Sequence, residues 1–109
     1  MSQDNNRLLL ELEKQRRDIN RDLINPQIPE LSLESLEPVL AMIAQARAAY
    51  IKELIDIARI TGGQAPSPDQ IRQLKACRET FDELVTAMNA LETVIQRDYL
   101  DVRERKRSE

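Results

Sequence analysis

The chemistry this chain could perform rests on few residues: Arg47, Cys77 and the carboxylate pair Glu79 and Glu83. Carboxylates four apart on a helix can share a metal ion or a proton, and a thiol can attack a carbonyl once a base or cation lowers its pKa. An arginine set in an apolar surface can clamp a carboxylate or phosphate. Each needs a further group, and the sequence withholds it. No histidine occurs among the 109 residues, which removes the commonest general base and metal ligand. Cys77 falls between Leu74 and Phe81 in an apolar repeat, where a thiol packs as a small inert hydrophobe. Glu79 and Glu83 read as the solvated side of a helix. The only two glycines, Gly62 and Gly63, are adjacent, so no phosphate loop, dinucleotide fingerprint or nucleophile elbow can be built. No catalytic, metal-binding or cofactor-binding residue is assigned, no cofactor is expected, and the chain is expected not to be an enzyme. A small all-α enzyme using Arg47 is the least favoured alternative.

The elements that would position these residues follow from punctuation and periodicity. In the break Gly62-Gly63-Gln64-Ala65-Pro66-Ser67-Pro68, a glycine can take the left-handed conformation that ends one helix. Ser67, Pro68 and Gln70 then supply an N-cap, a first-turn proline and a capping box for the next. The spacing predicts an all-α fold: an antiparallel hairpin of helices over 36–61 and 68–105, with an N-terminal helix over 4–24, as a three-helix bundle or a dimeric helical bundle. The whole is read as one domain, 1–109, with a connector at 25–35, a turn at 62–67 and a tail at 106–109.

Each helix shows a different face. Leu8, Leu12, Ile19 and Leu23 form a seam of roughly 60°, suited to one neighbour. Ser35 is read as the N-cap of the second helix, whose apolar residues span about 220° and whose Ala41, Ala44, Ala46, Ala48 and Ala49 permit close approach. Leu74, Cys77, Phe81, Leu84, Met88, Leu91 and Ile95 alternate spacings of three and four, and Tyr99 and Val102 extend the same face. Around the glycine turn, Tyr50 comes level with Glu79 and Arg47 comes near Asp82 and Glu83, as an ion pair or as an anion-binding group. The third helix, about 57 Å long against about 39 Å for the second, overhangs its partner.

Charge and composition narrow the partners. The net charge of −3, from 16 basic and 19 acidic residues, excludes a global positive field for nucleic acid. The run Arg103, Glu104, Arg105, Lys106, Arg107 is a local exception. With Arg47, its Arg103, Arg105, Lys106 and Arg107 are the candidate anion contacts, and binding of nucleic acid or another anionic surface through 103–107 is the alternative function. No stretch spans a membrane, no signal segment begins the chain, and a single cysteine fits a reducing compartment, so a cytoplasmic location is expected. The favoured reading is a non-catalytic, adaptor-like or chaperone-like helical module, homodimeric, holding an unidentified protein partner. Its candidate interaction surface is Tyr50, Ile51, Ile55, Ile95, Tyr99 and Val102.

Overall fold

The computed structural model describes residues 2–103 and is all-α: α1 is Ser2–Ile24, a 3-10 turn covers Asn25–Gln27, α2 is Leu33–Thr61 and α3 is Pro68–Gln96. The chain divides into two compact units, Leu36–Asn89 on the one hand and Met1–Ser35 with Ala90–Glu109 on the other.

The unit Leu36–Asn89 holds the helical hairpin. Its turn is built as the residue types require. Gly62 takes φ 64° and its N–H reaches the Ala58 carbonyl at 3.0 Å, the bond of a left-handed helix stop, and Gly63 follows at φ 91°. On the far side Gln70 N–H donates to Ser67 Oγ at 3.1 Å while Ser67 N–H donates to Gln70 Oε1 at 2.8 Å, a reciprocal capping box. Across the hairpin the Tyr50 and Phe81 rings stand 6.3 Å apart, within two residues of the expected register. Ile43 and Ile57 are the buried residues of α2, while the α3 seam Leu74, Cys77, Phe81, Leu84 and Met88 is only half-buried. Two helices make a single contact strip, and such a strip leaves both flanks in water.

The other unit departs from the expected pattern at two boundaries. The connector 25–35 is not extended throughout: after the 3-10 turn, α2 begins at Leu33, and its N-cap is Ser32 rather than Ser35. Ser35 N–H donates to Ser32 Oγ at 3.3 Å and Ser32 N–H to Ser35 Oγ at 2.8 Å, so Ser35 is the far member of a box whose cap lies three residues earlier. Pro38, which Ser35 as N-cap would have placed in the first turn, therefore sits inside the helix in its second turn.

The second departure is larger. α3 stops at Gln96, not at 105. Tyr99 N–H donates to the Val94 carbonyl at 3.0 Å and Asp98 N–H to the Ile95 carbonyl at 3.2 Å, with Asp98 at φ 61°. This is a Schellman ending with aspartate where glycine is usual, a substitution that aspartate tolerates because its short polar side chain bonds locally. Tyr99 and Val102 thus leave the helical face. Tyr99 and Leu100 are buried, and Val102 pairs with Leu31 in an isolated parallel bridge, Leu31 N–H to Asp101 carbonyl at 3.2 Å and Arg103 N–H to Leu31 carbonyl at 2.6 Å. The expected overhang is a return.

Candidate interaction surfaces

Arg21, on the last turn of α1, holds the return in place. Its guanidinium donates to the Asp98 carbonyl at 2.8 Å, lies 3.2 Å from Asp98 Oδ1 and pairs with Asp101. Asn25 adds its side-chain oxygen, which accepts from Asp101 N–H at 2.8 Å. The Arg21 side chain is one-third exposed, so these charge-assisted bonds are partly sheltered from screening. Arg21→Met keeps the aliphatic stem and removes every donor; it is expected to cost about 1–2 kcal/mol. Faster amide exchange at Tyr99, Asp101 and Arg103 in that variant would report the loss, and unchanged exchange there would refute it.

This polar latch turns α1 around. Leu10, Glu13, Lys14 and Arg17 face the 96–99 segment across a groove of ≈ 480 Å³, and Arg21 lies on the same side. The seam Leu8, Leu12, Ile19 and Leu23 points the other way and is exposed throughout. The expectation that this seam packs on one neighbour is therefore not met within its unit. The reason is chemical: the return offers carbonyls and carboxylates, which recruit the side of α1 that carries Arg21 and not its Leu8, Leu12, Ile19 and Leu23 seam.

In the hairpin unit Arg47 does not reach Asp82 or Glu83. Its guanidinium carbon sits 5.1 Å from the centroid of the Phe81 ring, a cation–π contact. Beside it Tyr50, Ile71, Leu74, Lys75 and Arg78 line an open groove of ≈ 380 Å³ with an apolar floor and a basic rim. Lys75 lies 3.8 Å from Glu79, so that carboxylate is engaged along its own helix. Farther along α2, Lys52 donates to Asp56 at 2.6 Å. That hydrogen bond holds the Asp56 carboxyl below its ordinary value and raises Lys52 above its own.

The residues singled out from sequence are thus dispersed. Ile51 and Ile55 are exposed on α2, and Tyr50 is half-buried against Phe81. Ile95 is half-buried in the other unit, and Val102 is exposed beside its bridge. Tyr99 is only 7 % exposed, turned inward by the Schellman ending rather than standing on an open helix face. Arg103 stands 3.9 Å from Glu30, and Arg105, Lys106 and Arg107 lie outside the described residues. Sequence reasoning missed Ser32, Arg21, Asp98 and Leu100. The signals were present in Ser32-x-x-Ser35 and in Asp98 and Asp101 flanking Tyr99-Leu100, but an unbroken three-four spacing outweighed them.

Among the described residues, no group of three histidine, cysteine, aspartate or glutamate side chains is placed to hold a metal ion, and no helix is long and apolar enough to cross a membrane. What the geometry presents instead is apolar helix surface. Leu8, Leu9, Leu10 and Leu12 on α1, Leu40, Met42, Ile51, Leu54, Ile55 and Ile60 on α2, and Ile71 on α3 are all exposed, against four buried apolar residues among those described, Ile43, Ile57, Tyr99 and Leu100. Comparison with protein-family models, with curated proteins and with solved structures finds no match.

Proposed function

We propose that this protein is a non-catalytic helical interaction and assembly module, adaptor-like or chaperone-like, that acts as a homodimer and holds a partner protein against its remaining apolar helix faces. One observation carries the reading: among the described residues, more large apolar side chains stand exposed on the helices than are buried. Contiguous apolar surface on a small domain marks a place of association. The proposed setting is the cytoplasm, where the half-buried, free thiol of Cys77 remains reduced. Binding of nucleic acid or another anionic surface through 103–107 is the alternative reading; of that run only Arg103, 3.9 Å from Glu30, lies among the described residues.

The α1 seam offers a clean test. Leu12→Gln with Ile19→Gln alters residues whose side chains are exposed, so unfolding free energy is expected to change by no more than about 0.5 kcal/mol. Fluorescence of an apolar dye bound to the protein is expected to fall markedly in the same variant. A loss of stability typical of core residues, with dye binding unchanged, would show that the seam is interior and would remove the basis for the reading.

A further inference from the structure

The hairpin occupies only one of two seams on α2. The first, Val39, Ile43, Ala46, Tyr50, Glu53 and Ile57, is buried or half-buried on the side that meets Phe81. The second, Leu40, Ala44, Arg47, Ile51, Leu54 and Ala58, keeps the same alternation of four and three, and every member is exposed. At 100° per residue the two seams are about 100° apart, the angle at which a helix serves two neighbours at adjacent corners of a four-helix bundle.

We infer that the second seam is the homodimer interface, closed by the same seam of a second copy running antiparallel, with the two-fold axis beside Ala49. This rests on the self-association proposed above and assigns it a face. In that register Leu40 meets the partner's Ala58, Ala44 meets the partner's Leu54, and Arg47 meets the partner's Ile51; the axis repeats each pair. Large residues fall on small ones at the Leu–Ala layers, so the layers interdigitate and the helices approach closely. Ala41 and Ala48 flank the seam and add no bulk. A parallel arrangement would set Ala44 on Ala44, leaving a void, and Arg47 on Arg47, facing like charges.

Charge supports the same direction. Glu37 extends the seam at one end, exposed and outside any ion pair among the described residues, and Arg59 lies near the other end with only a loose 3.9 Å approach to Asp56. The antiparallel register brings Glu37 beside the partner's Arg59 at both ends of the interface, whereas a parallel one opposes Glu37 to Glu37. Arg47 is accommodated because its guanidinium already lies over Phe81, which leaves its methylene stem to cover the partner's Ile51. The α1 seam does not fit a second copy in this way. It is interrupted by Gln15, and Asp4, Glu11 and Asp18 line one flank, so an antiparallel copy would set acid against acid.

Sedimentation equilibrium of the full chain and four variants, from low-micromolar to millimolar concentration, tests the assignment. Ala44→Glu places a carboxylate at an exposed helix position that glutamate suits, so circular dichroism is expected to be unchanged while the dimer dissociation constant rises about a hundredfold. Glu37→Lys is expected to weaken the dimer about tenfold, and adding Arg59→Glu to restore it. Leu12→Glu on α1 is expected to leave it unaltered. A dimer that survives Ala44→Glu, or that is lost on Leu12→Glu instead, would overturn the face while leaving self-association intact. A wild-type chain monomeric at every concentration would overturn both.

Discussion

Leu100→Ala is expected to destabilise the unit formed by α1 and the return by about 2–4 kcal/mol, the range for truncating a buried leucine that leaves a cavity. Leu100 is 2 % exposed, the most enclosed side chain among the described residues, and it sits four residues beyond the end of α3. Its burial is possible only because Asp98 turns the backbone and because Arg21 and Asn25 hold Asp101. The variant should therefore loosen the whole return. Amide exchange at Tyr99, Asp101 and Arg103 is expected to accelerate roughly a hundredfold, with the hairpin amides around Ile57 unaffected. Protection unchanged at those three amides would mean that the return does not pack as described.

Ile57→Ala and Leu54→Ala separate the two seams of α2 by their cost. The residues are three apart on one helix, yet Ile57 is 5 % exposed and Leu54 is 50 % exposed. Truncating Ile57 removes three buried carbons from the contact with α3 and is expected to cost about 2–4 kcal/mol in urea unfolding at dilute concentration. Truncating Leu54 under the same conditions is expected to cost less than about 1 kcal/mol, since its side chain already meets water and alanine is the better helix former. At high concentration the order should narrow, because Leu54 then loses contacts to the second copy. Equal costs at dilution would show that α2 has one broad buried face and no open seam.

Where short-range chemistry decides structure, the residues announced it. Gly62 at positive φ and the Ser67–Gln70 box follow from residue type alone, and the hairpin register follows from the apolar repeats on both sides. The end of α3 was hidden for a physical reason. A Schellman ending brings the residue after the left-handed position back toward the last turn, so Tyr99, four residues beyond Ile95, keeps the spacing of a continuing helix after the helix has stopped. Neither glycine nor proline marks the place, and aspartate in that role is uncommon. The cap of α2 was misplaced because two serines three apart each satisfy the preference for an N-cap, and only their mutual hydrogen bonds distinguish Ser32 from Ser35. The width of the apolar face on α2 was legible as an excess, but its division into two seams required knowing which residues α3 covers. Arg47 shows the limit most clearly: its type suggested an ion pair or an anion contact, and only the structure places its guanidinium over the Phe81 ring.

Association through exposed helix surface is the central claim, and the mass of the full chain in solution tests it most directly. Light scattering on the wild-type protein is expected to give twice the 12.6 kDa of one chain at high concentration, falling toward the single-chain mass on dilution. A constant 12.6 kDa up to millimolar concentration, with no enhancement of apolar dye fluorescence, would contradict the account.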